Sequence, residues 1–165
     1  MGRSPLRLVR FTQGLKDSPG SHRGRVAGHG GSRPLTLEDA AQLARALPEV
    51  TEGVRHGNRT WFTAGKAFAW ERPLSKADVR RLGGQPPPKG PLLAVLVANL
   101  EEKEVLLLDP PPGFFDIEHF RGYPAVLIEL EVVSRRNLKA AIAEAWRVCA
   151  PARFRLPAPG RPPAR

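Results

Sequence analysis

The stretch from Arg55 to Lys76, RHGNRTWFTAGKAFAWERPLSK, constrains the fold of this chain more than any other. Two runs of aromatic and small residues flank Ala64-Gly65, a pattern typical of two antiparallel strands joined by a tight turn. The stretch therefore predicts a β-hairpin. Because Ala disfavours a positive φ and Gly65 accepts one, we expect a type I turn closed by a left-handed glycine bulge.

This register of the hairpin divides its side chains between the two faces of the sheet, since successive residues of a strand point to opposite sides. One face would carry Phe62, Lys66, Phe68 and Trp70. The other would carry Trp61, Ala67, Ala69, Glu71, Arg59 and Thr63. A slip of one residue would exchange the partners across the strands.

Helices are predicted on either side of the hairpin from capping residues and apolar spacing. Thr36, Ser75 and Ser134 are placed to cap helices over residues 36–47, 75–82 and 134–149. A further short helix is expected over residues 101–108, where the acidic residues of its first turn complement the helix dipole.

The remaining strands are predicted from apolar runs. Residues 92–100, LLAVLVANL, are apolar almost throughout, as in a central strand that is buried on both faces. Residues 125–130 are a further strand, and residues 50–56 form a weak first strand because Gly53 interrupts it. Strands and helices do not alternate as in a doubly wound fold. We therefore expect an α+β two-layer single domain, with one antiparallel sheet packed on one face by the N- and C-terminal helices.

Three regions are expected along the chain. Residues 1–34 are rich in Gly, Ser and Arg without periodicity, which predicts a disordered basic extension. An organellar transit peptide and a later translation start are alternative interpretations of that segment. Residues 35–153 form the folded domain, and residues 154–165 are a Pro-rich basic tail.

The net charge of +10 is typical of a nucleic-acid-binding protein, but the charge is unevenly distributed. Residues 1–34 contain seven Lys and Arg against Asp17 alone, whereas residues 35–155 contain 17 basic and 15 acidic residues. The folded region is therefore close to neutral.

Cysteine and histidine give no metal-binding or redox pattern. Cys149 is the one cysteine and the four His are scattered, so we expect no internal disulfide, no metal and no other cofactor, and Cys149 as a buried thiol. No apolar run approaches the roughly 20 residues of a membrane span, and Arg7 and Arg10 interrupt the apolar run near the N-terminus. These features predict a cytoplasmic protein.

An enzymatic function would need a convergent acid, base or nucleophile, and His56 and His119 are the obvious candidates. Glu118 is adjacent to His119, so in a strand its side chain would point to the opposite face. No glycine-rich phosphate loop follows a predicted strand. We therefore predict that the protein is not an enzyme.

Three motifs, HGNRTWF, AGKAFAWERP and HFRGYPAVLIEL, resemble the MmcQ/YjbR-like family, and the resemblance extends over residues 36–151. It implies a compact α+β fold related to frataxin-like proteins and DNA binding through a double-wing arrangement. The N-terminal extension and the Pro-rich tail depart from the compact pattern of the family. Frataxin-like iron binding is not carried over, because Lys103 interrupts the acidic cluster Glu101, Glu102 and Glu104.

The resemblance and the basic, aromatic hairpin together predict a DNA-binding protein of low specificity that contacts mainly phosphates. We expect Arg59, Lys66 and Arg72 to contribute. The full set of candidate residues is Arg55, His56, Asn58, Arg59, Lys66, Arg72, Lys76, Arg80, Arg81 and Arg121. The alternative for each is an ordinary solvated side chain at the end of an element. The alternative function is a protein- or small-ligand-binding module with no nucleic-acid role, which the near-neutral domain favours.

Overall fold

A computed structural model describes residues 33–154 of the chain, which contain one six-stranded antiparallel sheet and four α-helices. The strands are β1 (Val50–Arg55), β2 (Asn58–Thr63), β3 (Lys66–Glu71), β4 (Leu92–Leu96), β5 (Phe114–Phe115) and β6 (Ala125–Glu129). The helices are α1 (Leu37–Arg45), α2 (Lys76–Arg81), α3 (Leu100–Leu108) and α4 (Arg135–Cys149). The strand order is β1-β2-β3-β4-β6-β5.

Both predicted tails lie almost wholly outside the described residues. Within residues 33–154, no helix is long and apolar enough to cross a membrane.

One face of the sheet is covered by α1 and α4, which also pack against each other. Trp61, Phe68, Leu93 and Ile128 contribute to the core on this side, where they meet the apolar face of α4. These side chains are almost completely buried. The predicted α+β domain with both terminal helices on one face of the sheet is confirmed.

The opposite face carries a smaller core around Ala94, Leu127 and Phe120. A 3-10 turn, Glu118–Phe120, lies over this face, and α2 packs against the turn. Because Leu93 belongs to the first core and Ala94 to the second, β4 is buried on both faces as predicted.

The predicted helix caps are confirmed. The Thr36 hydroxyl accepts a hydrogen bond from the Asp39 backbone N–H at 3.3 Å, and the Asp39 carboxylate accepts one from the Thr36 N–H at 2.9 Å. Ser75 and Asp78 form the same reciprocal pair at the start of α2. Two donors that would otherwise lack partners are thereby satisfied at each helix start.

Two strand assignments are corrected. The strand predicted over residues 92–100 ends at Leu96, because the Asn99 side chain accepts a hydrogen bond from the Glu102 N–H at 2.8 Å and starts α3 there. Phe114 and Phe115, for which no strand is predicted from the sequence, form the short edge strand β5 against β6.

The predicted turn of the β2–β3 hairpin is wrong. Ala64 and Gly65 have φ values of 48° and 73°, and Thr63 pairs with Lys66, so the connection is a two-residue turn with positive φ at both positions. This is the type I′ geometry, whose twist matches that of the flanking strands. The fit of the strands therefore outweighs the preference of Ala64 for negative φ.

The bulge lies within the strands instead. Trp61 pairs with Ala69 and Phe62 pairs with Ala67, which leaves Phe68 as the extra residue. As a result Phe68 joins Trp61 in the helix-side core, whereas Trp70 packs on the opposite face. The predicted placement of Phe68 and Trp70 on one face is therefore wrong.

The turn supplies a stability prediction. Replacing Ala64 with Gly removes the steric cost of a left-handed alanine, and we expect the free energy of unfolding to rise by about 0.5–1 kcal/mol, the gain being reduced by the greater freedom of glycine in the unfolded chain. Urea denaturation of both proteins measures this change. Gly65→Ala is the control and should destabilise the domain, since it puts a Cβ at φ 73°. If the Ala64→Gly variant is less stable than the wild type, the inferred strain at Ala64 is refuted.

Candidate nucleic-acid interface

The candidate residues in and around the hairpin lie at two ends of the β1–β3 meander. Arg55, His56 and Asn58 surround the β1–β2 turn, at the end where β3 leads into Arg72. Lys66 lies at the other end of β3, about 17 Å away along a six-residue strand. Antiparallel pairing therefore separates Lys66 from the other hairpin residues.

Arg59 is held in an ion-pair network on the helix side of the sheet. Its Nε donates to Glu52 at 2.7 Å, and its guanidinium also reaches Glu38 of α1 at 3.2 Å. Glu52 further accepts hydrogen bonds from Arg45 at 3.1 Å and from the Trp61 indole at 3.2 Å. Partial burial opposes ionisation of Glu52, but the hydrogen bonds from Arg59 and Arg45 outweigh it and lower its pKa. Arg59 thus joins α1 to the sheet.

Arg72 is similarly engaged. Its side chain is 17% exposed and pairs with Asp78 at 2.9 Å, while its guanidinium carbon lies 5.7 Å from the centre of the Phe120 ring. Burial raises the pKa of Asp78, but hydrogen bonds from Ser75 and Arg72 lower it by more, so the carboxylate stays charged. Arg72 joins β3, α2 and the 3-10 turn.

Other candidate cations are exposed and form no ion pair with any part of residues 33–154. They are Arg55, Lys66, Lys76, Arg80 and Arg81. The last three all lie on α2, where Lys76 and Arg80 share a side of the helix.

Arg121 is 79% exposed and pairs with Glu118 at 2.9 Å, a surface contact that contributes at most about 1 kcal/mol. Because α2 packs against the 3-10 turn that precedes Arg121, the α2 cations and Arg121 lie on the same side of the sheet. We call Lys76, Arg80, Arg81 and Arg121 the α2 surface.

The remaining two candidates have local roles. His56 has a φ of 51° and is exposed in the β1–β2 turn. The Asn58 side-chain amide donates to the His56 carbonyl at 3.3 Å, so it supports that turn.

Lys103 is a buried cation that the sequence analysis did not identify. Its side chain is 5% exposed and pairs with Asp116 at 2.9 Å. Its ammonium also donates to the carbonyls of Phe120 at 2.7 Å and Tyr123 at 3.0 Å. Helical spacing was the available signal, because Lys103 shares a side of α3 with the half-buried Leu106 and Leu107.

The histidines considered for catalysis and the residue types that bind metals are scattered over the described region. His56 lies in the β1–β2 turn and His119 in the 3-10 turn, and neither forms a hydrogen bond with an acidic residue in the described region. No group of three His, Cys, Asp or Glu within residues 33–154 could hold a metal ion.

A cavity of about 250 Å³ lies between β3, α2 and the loop before β4. Its lining is mostly proline and aliphatic side chains, with Glu71 as the charged group. The volume is below the roughly 300–1,000 Å³ of typical small-molecule sites. The cavity therefore does not favour a small-ligand function over one on the exposed surface.

Comparison with known proteins gives one family and several relatives. The model of the YjbR family matches residues 45–148. Similar proteins occur in Mycobacterium bovis and in two strains of Mycobacterium tuberculosis, all described as uncharacterized. Each is 39% identical over 118 residues, which cover 70% of this chain and 89% of the relative. No solved structure matches the chain significantly.

Proposed function

This chain belongs to the YjbR family, and we propose that its domain is a non-enzymatic, cytoplasmic DNA-binding module that contacts phosphates weakly through the α2 surface. The observation that supports this most is the pairing pattern of the cations. Arg59 and Arg72 are neutralised by acidic partners, whereas Lys76, Arg80 and Arg81 are exposed and form no ion pair within residues 33–154.

An exposed cation without an acidic partner is suited to binding phosphate. It can approach a phosphate and release the condensed counterions without first breaking an ion pair. Contacts of this kind carry no sequence information, so the binding would be of low specificity. We therefore assign the principal phosphate contacts to α2 and not to Arg59 and Arg72, which the sequence analysis favours.

Removing charge from α2 should weaken DNA binding and its dependence on salt. We expect Arg80→Gln/Arg81→Gln to lower affinity for a labelled duplex and to reduce the slope of log K against log salt by up to about 1.8, since each lost phosphate contact contributes about 0.9. Fluorescence anisotropy over about 50–200 mM salt measures both quantities.

The matched control is Arg136→Gln/Lys139→Gln, which removes the same charge from exposed positions of α4 behind the opposite face of the sheet. Both variants retain the basic residues 1–34, so the contribution of that segment cancels in the comparison. Equal slopes for the two variants would refute binding through α2, and the function should then be sought among protein or small-molecule partners.

A further inference from the structure

Phe120 is the centre of an aromatic cluster on the face of the sheet that carries α2. Trp70 packs edge-on against it with ring centres 6.2 Å apart. His119 and Tyr123 also lie beside it, with ring centres 6.0 and 5.9 Å away and rings tilted by 45° and 52°. Residues 118–123, which we call the aromatic loop, therefore present two further rings around a buried one.

The outer rings are accessible to solvent. Phe120 is 5% exposed and belongs to the core, whereas Tyr123 is 47% exposed and His119 is exposed as well. Among the large apolar side chains that the described surface exposes, Tyr123 and Phe154 are the aromatic ones, and Tyr123 is the more exposed of the two. A half-exposed tyrosine beside a basic helix can stack against a planar ligand without any rearrangement of the domain.

Hydrogen bonds from α3 and from neighbouring backbone groups fix the backbone of the aromatic loop. Lys103 donates to the carbonyls of Phe120 and Tyr123, and the Tyr123 N–H donates to the Phe120 carbonyl at 2.9 Å. The Ala125 N–H also donates to the Tyr123 carbonyl at 2.8 Å. Because the loop is already ordered, the binding of a ligand to it costs little additional conformational entropy.

The charges in contact with the loop are largely compensated. Glu118 pairs with Arg121, and Lys103 pairs with Asp116. Arg72, which lies over Phe120, pairs with Asp78. The aromatic loop therefore exposes aromatic rings to a ligand but little net charge. The unpaired cations lie beside it on α2.

We propose that the aromatic loop stacks unpaired bases of single-stranded nucleic acid on Tyr123 and His119, while Lys76, Arg80 and Arg81 bind the adjoining phosphates. This inference rests on the proposed function and names its preferred substrate. In a duplex the base faces are covered by their neighbours, so exposed rings find ring partners in a single strand. Stacking of this kind is tolerant of sequence.

The test uses the full chain and two labelled single strands of about 12 nucleotides, a length within the range that single-strand-binding sites cover. One strand is oligothymidylate, and the other has the same phosphates but abasic sugars. We expect oligothymidylate to bind about fivefold more tightly or better, since a stacked base contributes at least about that factor. Any contribution of the basic residues 1–34 to binding is the same for both strands, because the strands carry the same phosphates.

Tyr123→Ala should remove most of the preference for oligothymidylate, and Tyr123→Phe should retain it because the ring remains. Tyr123 is exposed enough for the domain to stay folded in both variants, which the thermal unfolding midpoint checks. Arg80→Gln/Arg81→Gln should lower binding of both strands equally. His119→Ala should reduce the preference in part.

Each other outcome has a definite meaning. If the wild type binds both strands equally, and still binds them in a salt-dependent manner, stacking is refuted while phosphate binding stands. If the preference is undiminished in Tyr123→Ala, the bases are stacked elsewhere on the protein and this inference is overturned. If the wild type binds neither these strands nor the duplex, the proposed function fails together with this inference.

Discussion

Replacing Lys103 with Met should destabilise the domain by about 3–5 kcal/mol, because removing one partner of a buried ion pair leaves the other groups unsatisfied. The Phe120 and Tyr123 carbonyls would lose their donor, and Asp116 would lose its counter-charge. A loss of this size is a large fraction of the roughly 5–15 kcal/mol that stabilises a typical domain. Chemical denaturation with a fitted m-value measures the change.

A double-mutant cycle tests whether the ion pair causes the loss. Asp116 is 30% exposed, so water can partly hydrate its carboxylate once Lys103 is gone. We expect Lys103→Met/Asp116→Asn to be more stable than Lys103→Met alone, because the uncompensated charge is then removed. A loss below about 1 kcal/mol in the single variant would show that the carbonyls find other donors.

Asp39→Asn is expected to lower the free energy of unfolding by about 2–3 kcal/mol at pH 7, since hydrogen bonds to a charged group contribute about 1.5–3 kcal/mol. The Asp39 side chain is 3% exposed. It accepts two bonds from Arg33 at 2.8 Å, one from Arg135 at 3.1 Å and the capping bond from Thr36. The asparagine retains the shape but loses the charge.

The pH dependence of this difference has a defined sign. Hydrogen bonds from Arg33 and Thr36 hold the pKa of Asp39 well below its usual value in the folded protein. As pH falls below about 4, the ordinary pKa of an aspartate, the unfolded chain binds a proton before the folded one does. The stabilisation that the Asp39 carboxylate provides is therefore fully present above that pH. It is lost as the pH falls further, towards the pKa of Asp39 in the folded protein. The wild type and Asp39→Asn should converge in stability in acid.

Urea denaturation from pH 7 to pH 2 measures both proteins under the same conditions, and the difference between them isolates Asp39 from other acidic residues. Glu144→Gln is the control, since its partner Arg147 is exposed and such surface pairs contribute little. A stability difference that stays constant down to pH 2 would mean that Asp39 has an ordinary pKa.

The sequence was a good guide to local structure. The hairpin and the caps at Thr36 and Ser75 depend on residues close together in the chain. The continuous apolar run of β4 likewise indicated that the strand is buried on both faces. The turn type was wrong because the twist of both strands, and not the residue alone, selects positive φ at Ala64. The bulge at Phe68 was missed for the same reason, since pairing across two strands creates it.

The candidate interface was only partly predictable. The sequence identified the basic residues and the family, because both depend on which residues are present and in what order. The tertiary structure decided which cations are free, since Arg59 meets Glu38 and Arg135 meets Asp39 only after distant segments pack together. It likewise buried Lys103 beneath the aromatic loop. Ion pairing depends on distances in space, and a linear pattern of charges does not contain them.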